Sequence, residues 1–362
     1  MTRHVGILGG GQLGRMLALS ARELGLEVTV VDPNPDAPAQ VAGRHVTADY
    51  ASPEALAALH GVDVVTYEFE NVPEEATRLL AAHVPVHPSP SALAVAQDRL
   101  SEKTTFQALG IETPRYRQVD AASDVLAAFS ELGPLVLKTR RFGYDGKGQV
   151  VVRSAEAATT AFESIGSAPA IAEELLSFDQ EVSALICRGQ DGQVALYPVT
   201  HNVHRQGVLA ISEAPAALPE AVAAQALSAA QRLAEHFSYV GVLALELFCV
   251  GGRLLANEFA PRVHNSGHWT LEGAKTSQFE NHLRAVCGLP LGSAELLLPS
   301  VMVNLIGRVP EAGRLLALPD VHLHDYGKAP RAGRKVGHVT ARAPTAERAR
   351  ALAAEIERIV AE

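Results

Sequence analysis

The first ninety residues alternate between short apolar runs and longer amphipathic segments. The apolar runs predict strands at His4–Leu8, Glu27–Asp32 and Val62–Tyr67, and the amphipathic segments predict helices at Gln12–Leu24, Ser52–His60 and Pro73–Ala82. Strands that alternate with helices form a parallel sheet with both faces covered. The pattern therefore predicts an N-terminal Rossmann-like α/β domain, over residues 1–95, ending near the turn-forming segment 86–90.

The pattern then changes to a small α+β unit over residues 96–175. A helical stretch at Ser91–Leu109 leads into it, and the unit itself is predicted from strands at Leu135–Lys138, Gln149–Val152 and Ala170–Glu173 and a helix at Ser154–Ser164. A glycine-rich loop separates the first two strands. We expect this unit to form a separate lid.

The remaining residues, 176–362, predict a larger α+β domain with a small terminal subdomain from about residue 298. Its strands are expected at Glu181–Cys187, Val194–Val199, Val240–Val250, Arg253–Glu258, Val301–Leu305 and Val336–Thr340, and its helices at Pro219–Phe237 and Ala346–Ala361. Gly251 and Gly252 separate the fourth strand from the third, as in a hairpin.

Composition narrows the class of protein. The 362 residues include 31 Lys and Arg against 40 Asp and Glu, a net charge of −9, and 48% are hydrophobic, which excludes general disorder. No apolar run reaches the ~18 residues of a membrane span, and no signal peptide is expected, because the chain goes straight into a strand. Three scattered cysteines, Cys187, Cys249 and Cys287, fit a cytoplasmic protein without disulfides. The acidic balance argues against nucleic-acid binding.

The first candidate site is the glycine segment Gly9-Gly10-Gly11-Gln12-Leu13-Gly14, between a predicted strand and helix. With Asp32 at the end of the next strand it satisfies the dinucleotide-binding fingerprint. Two other interpretations stay open at this point. The glycines could serve only close packing of strand and helix, or the loop could bind another anionic substrate.

A second candidate follows Lys138. Gly143, Gly146 and Gly148 lie among the cations Lys138, Arg140, Arg141 and Lys147. Bare backbone amides and lysines suit a flap over polyphosphate. The order strand, lysine, glycine-rich hairpin, strand differs from a P-loop, and a solvated hairpin turn is the alternative.

Glu246 and Glu258 each lie in an otherwise apolar strand. Their residue numbers have an even sum, so a hairpin with an odd loop, such as Val250-Gly251-Gly252, would place both carboxylates on one face. Two carboxylates that close need a cation, and Mg²⁺ is usual when phosphates complete its coordination. A salt bridge to Arg253 or Arg262 is the alternative.

Three polar segments remain. Asn257–Thr270 places two histidines beside the lone tryptophan, Thr200–His204 has two histidines three residues apart, and Arg331–His338 is a basic patch. The first is too rich in polar groups for an ordinary loop, although a well-hydrogen-bonded loop is the alternative. The second suits a polar wall better than zinc. The third suits a phosphate ester, or else is a solvated turn.

Together these motifs resemble the ATP-grasp superfamily, through Lys138, the glycine flap, Glu181 and the Glu246/Glu258 pair. Within it the chain is similar to the 5-(carboxyamino)imidazole ribonucleotide synthase family of purine biosynthesis. The distinguishing segments are Gly10–Met16, Tyr67–Pro73, Gly143–Gly148, Tyr197–His204, Ala260–Thr270 and Gly333–His338. They run through the whole chain in the family's order.

The resemblance implies an ATP-grasp fold and an ATP-dependent ligase. ATP phosphorylates bicarbonate to carboxyphosphate, and the exocyclic amine of 5-aminoimidazole ribonucleotide captures the carboxyl group, or CO₂ released from it, as a carbamate. It also implies Mg²⁺, small-molecule substrates and a homodimer.

The resemblance also assigns residues. At ATP it places Arg99, Lys138, Gly143, Tyr144, Asp145, Gly146, Lys147, Gly148, Glu173, Glu174, Leu175, Leu176, Glu181, His204, Asn257 and Glu258. At the ribonucleotide it places Gln12, Leu13, Glu68, Arg262, His264, Asn265, Arg334 and Lys335. The reacting atoms are expected near Arg262, Tyr144, Asp145 and Lys335, and Mg²⁺ at Glu246 and Glu258.

A departure from the family pattern at the metal site and three rival functions stay open. Ala260 stands where many ATP-grasp enzymes have an Asn two residues after the second metal-binding Glu, which leaves the third metal ligand unassigned. The nearest rival is the formate-dependent glycinamide ribonucleotide transformylase. An NAD(P)-dependent oxidoreductase and a non-catalytic nucleotide sensor are the others.

Overall fold

A computed structural model describes residues 3–143 and 147–362. Its N-terminal part is a four-stranded sheet in which every pairing is parallel, in the order β3-β2-β1-β4. The elements are β1 (His4–Leu8), α1 (Gln12–Glu23), β2 (Glu27–Val31), β3 (Arg44–Val46), α2 (Pro53–Leu59), β4 (Val64–Tyr67) and α3 (Glu74–Ala81). The predicted Rossmann-like sheet is confirmed, and the short edge strand β3 was missed.

The helical stretch predicted at Ser91–Leu109 is two helices, α4 (Pro90–Ala96) and α5 (Arg99–Ala108). The break lies at Asp98, because its Oδ1 accepts the amides of Leu100 at 3.0 Å and Ser101 at 3.3 Å and so caps α5. The other carboxylate oxygen pairs with Arg140 Nη2 at 2.6 Å. The cap therefore fixes the start of α5 to the beginning of the glycine flap.

The lid is a four-stranded antiparallel sheet in the order β5-β8-β6-β7, with two helices packed against it. Its elements are β5 (Tyr116–Val119), α6 (Ala122–Leu132), β6 (Leu135–Thr139), β7 (Gln149–Val152), α7 (Ala158–Ser164) and β8 (Ala170–Glu174). Lys138 lies near the end of β6, directly before the flap.

The described residues of the C-terminal part form one nine-stranded sheet, in the order β14-β13-β9-β11-β12-β15-β17-β16, with β10 beside β9. The elements are β9 (Gln180–Arg188), β10 (Val194–Leu196), β11 (Thr200–Arg205), β12 (Val208–Ala214), α8 (Glu220–His236), β13 (Gly241–Val250), β14 (Arg253–Ala260), α9 (Thr270–Gly273), α10 (Gln278–Val286), β15 (Ser300–Ile306), α11 (Ala312–Leu316), β16 (Val321–Asp325), β17 (Lys335–Arg342) and α12 (Ala346–Ala361). The pairing of β12 with β15 carries the sheet into the terminal segment.

The β13–β14 hairpin corrects one expectation. Its loop is the two-residue turn Gly251-Gly252, with φ of 56° and 82°, so the odd loop was wrong. A β-bulge restores the predicted result: Leu247 pairs with Ala256, while Glu246 pairs with Glu258, and Asn257 is the extra residue. The two carboxylates are therefore directly opposite each other, as expected, but for a different reason.

No helix within the described ranges is long and apolar enough to cross a membrane.

Candidate active site

The N-terminal glycine loop is already occupied by carboxylates of the protein itself. Glu68 Oε1 accepts the Gly11 amide at 2.6 Å and Oε2 accepts the Gly14 amide at 2.7 Å, while Asp32 Oδ2 accepts the Gly10 amide at 2.7 Å. A Cβ on Gly11 would lie 2.4 Å from Glu68 Oε1, so the glycine is required for this approach. A dinucleotide would need these same amides for its pyrophosphate. The loop therefore does not support the oxidoreductase alternative.

The outer side of this loop faces a basic segment of the C-terminal part. Lys328 donates a hydrogen bond to Gln12 Oε1, and Arg334 donates to the carbonyl of Ala329 at 3.3 Å. Burial lowers the pKa of Lys328 to about 8; Glu68 opposes the shift, and Arg334, Lys335 and Arg331 add to it. We call Lys328, Arg331, Arg334 and Lys335 the basic loop. It gathers four cations around Lys328, the member that contacts Gln12, and such an arrangement is suited to a phosphate ester.

Lys335 lies between the basic loop and the acidic residues of the central sheet. Its ammonium contributes to the pKa shifts of Lys328 on one side and of His204 and Glu246 on the other. It occupies the first position of β17, at a bulge opposite Ile306. Lys335 is thus within electrostatic reach of both halves of the site.

The facing carboxylates Glu246 and Glu258 have different surroundings. Glu246 Oε1 lies 3.0 Å from His264 Nε2, and Glu258 Oε2 lies 3.6 Å from Arg99 Nη2. Burial opposes ionisation of Glu246, but His264, His204 and Lys335 outweigh it and hold its pKa at about 2. The Glu258 side chain is 45% exposed. In the part of the chain that the structure describes, no three His, Cys, Asp or Glu side chains converge as a complete metal site. The pair offers two ligands, which suits an ion whose other ligands are phosphates.

Two lysines meet at a buried carboxylate behind this pair. Glu173 Oε2 lies 3.0 Å from Lys138 Nζ and 3.5 Å from Lys103 Nζ, and Lys138 also donates to Asn257 Oδ1 at 3.3 Å. Burial would raise the pKa of Glu173, but the two lysines overcome it and lower that pKa to about 2. Lys138 is therefore held in place, with its ammonium next to β14, the strand that carries Glu258.

A His–Glu pair forms another wall of the site. His204 Nδ1 donates to Glu181 Oε2, across the antiparallel neighbours β11 and β9. Burial would lower the pKa of His204, but Glu181 outweighs it and the net shift is upward. This upward shift makes the cationic form of His204 more favourable than in an ordinary histidine, which suits contact with phosphate.

Arg262 links the central sheet to the N-terminal domain. It forms an ion pair with Glu70 and donates to the carbonyl of Val263 at 3.0 Å. Asn265 uses its amide differently, in a reciprocal pair with Asn304, at 2.7 Å and 3.1 Å. Arg262 therefore remains a cation at the domain boundary, whereas both polar atoms of the Asn265 amide have partners within the protein.

Several residues that were predicted for the site have side chains with other contacts. Leu13 is 7% exposed and packs in the core, and Glu174 pairs with Arg115 at 2.8 Å, so either residue could offer a ligand mainly its backbone. Gly143 and Gly148 flank Thr139: a Cβ on them would lie 3.4 Å and 2.7 Å from its Oγ1. Tyr144, Asp145 and Gly146 lie outside the described residues.

Sequence reasoning missed four residues here: Glu70, Glu102, Lys103 and Lys328. Lys103 is fully buried and follows Arg99 by four positions on α5, the spacing of one helix face. Lys328 lies in the loop between β16 and β17, and only β17 was predicted. The helical spacing was available as a signal for Lys103, while Lys328 is recognisable only once the fold brings it to Gln12.

Family models match three consecutive parts of the chain. The Ribonucleotide synthetase preATP-grasp domain matches residues 1–97, the ATP-grasp domain residues 104–279, and the Phosphoribosylaminoimidazole carboxylase C-terminal domain residues 300–352.

Full-length relatives are also similar. The N5-carboxyaminoimidazole ribonucleotide synthase of Pseudomonas aeruginosa is 49% identical, over 98% of this chain and 99% of that protein. The crystal structure of N5-carboxyaminoimidazole ribonucleotide synthetase from Thermus thermophilus is 50% identical, with a TM-score of 0.95 over 99% of each chain. The Aspergillus clavatus synthase, crystallised with ADP and 5-aminoimidazole ribonucleotide, is 33% identical, with a TM-score of 0.93 over 99% of each chain.

Proposed function

This chain belongs to the family of N5-carboxyaminoimidazole ribonucleotide synthases, and we propose that it carboxylates the exocyclic amine of 5-aminoimidazole ribonucleotide in an ATP-dependent reaction. The observation that carries the proposal is the position of Lys335. This residue lies within electrostatic reach of Glu246 and His204 at one end and of Lys328 at the other. We infer that a nucleotide site and a phosphate-ester site meet at this cation.

In the first step a bicarbonate oxygen attacks the γ-phosphorus of ATP, the bond to the β–γ bridging oxygen breaks, and ADP leaves. Lys138 and His204 bind the phosphates, and Arg99 adds a cation beside Glu258. Fixed cations stabilise the charge that moves onto ADP, because they are in place before the reaction. We propose carboxyphosphate as the product of this step.

Glu246 and Glu258 would hold Mg²⁺, which supplies positive charge to the phosphate oxygens when bound. The donor set fits this ion, because both ligands are hard oxygens and Glu246 is ionised at neutral pH, with a pKa of about 2. The Glu258 carboxylate is half exposed and so accessible to a ligand.

In the second step the amine nitrogen attacks the carboxyl carbon, the bond from carbon to the phosphate oxygen breaks, and the amine releases a proton. Arg262, held by Glu70, stabilises the developing negative charge. Gln12 and the basic loop bind the ribonucleotide, with its phosphate at Arg334, Lys335 and Lys328. Tyr144 and Asp145 are proposed to complete the site around bicarbonate and the amine.

The direct test is ADP release by the purified chain with ATP, bicarbonate and 5-aminoimidazole ribonucleotide, each omitted in turn. The proposal expects turnover only when all three are present. Turnover with formate and glycinamide ribonucleotide instead would identify the transformylase, and nucleotide binding without turnover would identify a sensor. We also propose a cytoplasmic homodimer; light scattering of the purified chain would test the dimer.

A further inference from the structure

The bulge at Asn257 decides which way Glu258 faces. Without the bulge, the pairing that starts at Val250 and Arg253 would continue regularly along the hairpin. Asn257 would then lie opposite Glu246, and Glu258 would lie opposite Leu245. Side chains alternate between the faces of a strand, so Glu258 would then point into the core beside Leu245. With the extra residue, Phe259 takes that buried position and Glu258 faces Glu246.

Two side chains of α5 bind the backbone of this bulge. Lys103 Nζ donates to the carbonyls of Ala256 at 3.0 Å and of Asn257 at 2.7 Å, and Glu102 Oε1 accepts the amide of Phe259 at 2.7 Å. Glu102 is 2% exposed and Lys103 is fully buried. The groups they bind are the carbonyls of the preceding residue and of the extra residue itself, and the amide two residues further on, so they lie on both sides of Glu258.

These contacts replace a missing strand. β14 is an edge of the nine-stranded sheet, so its outward backbone groups have no neighbouring strand to pair with. A bulge on an edge is easily displaced, because the ladder holds it on one side only. Helix α5 supplies the other side through two adjacent residues, and the Asp98 cap sets where that helix begins.

We propose that Glu102 and Lys103 are positioning residues for the metal carboxylate Glu258, acting through the backbone of the bulge. The inference rests on the proposed function, in which Glu246 and Glu258 hold the ion. Glu102 acts here as a hydrogen-bond acceptor, a role in which its charge is not required. A neutral amide oxygen at the same place should therefore serve as well.

That distinction gives a matched pair of variants. Glu102→Gln keeps the acceptor and removes the charge, whereas Glu102→Leu removes both at similar volume. The measurement is the affinity for Mn²⁺, followed by electron paramagnetic resonance in the presence of a non-hydrolysable ATP analogue. We expect Glu102→Leu to weaken Mn²⁺ binding about tenfold and Glu102→Gln to stay within about twofold of the wild type. Nucleotide affinity without metal should not change in either variant.

Two results would overturn the proposal: equal weakening in both variants, which would mean that Glu102 acts through its charge, or no weakening in either. Hydrogen exchange of residues 255–260 gives a readout without metal, and only Glu102→Leu should speed it. Glu102→Ala gives the same comparison if Glu102→Leu does not fold. Lys103→Met is less selective, because Lys103 also contacts Glu173.

Glu258→Gln separates this inference from the proposed function. If that variant binds Mn²⁺ as the wild type does, the metal assignment fails, and the exchange experiment still decides whether Glu102 holds the bulge. If Glu258→Gln loses Mn²⁺ while Glu102→Leu retains it, the metal assignment stands and the positioning role is refuted.

Discussion

We expect Lys328 to make ribonucleotide binding sensitive to pH. It lies beside Gln12 and Glu68, among Arg331, Arg334 and Lys335, and burial is the main reason that its pKa falls to about 8. An amine with a lowered pKa is charged below that value and neutral above it. A phosphate bound by the basic loop therefore loses one cation as the pH rises through about 8.

The size of the effect follows from that pKa. About nine-tenths of Lys328 is protonated at pH 7 and about one-tenth at pH 9, so KM for 5-aminoimidazole ribonucleotide should rise about tenfold over this interval. Lys328→Arg should remove the dependence, because arginine stays charged throughout. Lys328→Met should give a pH-independent KM about ten- to a hundredfold above the wild-type value at pH 7.

Steady-state kinetics from pH 6.5 to 9.5, with ATP and bicarbonate saturating, would measure this. KM for ATP over the same range is the control, since Lys328 contacts Gln12 of the N-terminal loop and the nucleotide is proposed to bind elsewhere. A flat wild-type profile would refute the reasoning, and so would a rise of the same size in Lys328→Arg.

Three further predictions concern the rest of the site. Glu258→Gln should remove nearly all ATP turnover at saturating Mg²⁺, with Glu246→Gln similar or milder; near wild-type kcat in either would contradict the metal assignment. Arg334→Ala should raise KM for the ribonucleotide about ten- to a hundredfold and leave KM for ATP unchanged. Lys335→Ala should have the same effect on KM and should also lower kcat. A raised KM for ATP in either variant would instead place the basic loop at the nucleotide. Gly11→Ala puts a Cβ 2.4 Å from Glu68 Oε1, so it should lower the free energy of unfolding by about 1–3 kcal/mol and raise KM for the ribonucleotide. Gly61→Ala is the control, because a Cβ there would have no neighbouring atom within 4 Å, and it should change neither quantity. Equal melting temperatures for the two variants would contradict this prediction.

Helices and strands could be predicted best where the residue pattern is compatible with only one kind of secondary structure. The runs at β1, β7 and α12 have the predicted bounds, because their apolar periods are regular and their ends are marked by turn or capping residues. Residues 200–204 were predicted only as a polar wall, and no element was predicted for residues 205–214, yet this stretch forms β11 and β12 in the middle of the sheet. Their buried polar residues, among them Asn202 and Ser212, obscure the apolar alternation that marks a strand.

The candidate site could likewise be predicted from the sequence only in part. The pairing of Glu246 with Glu258 could be predicted, but the bulge that produces it could not be told from an odd loop by counting residues. One signal was present: the buried positions of β14 step from Ala256 to Phe259, three residues instead of two. By contrast, the two carboxylates that fill the glycine loop belong to Asp32 and Glu68, and no local pattern shows that they reach the amides of this loop.

The continuous nine-stranded sheet has a consequence for how chains of this family can be recombined. Family models divide the chain between residues 279 and 300, yet β12 and β15 are paired across that division from Ile211–Val303 to Ala214–Ser300. A fragment ending before Ser300 would leave β12 as an open edge, to which a strand of another molecule could add. When segments are exchanged between relatives, residues 176–362 should therefore be replaced together. The lid is the natural segment to exchange by itself, because its four strands pair only with one another among the described residues.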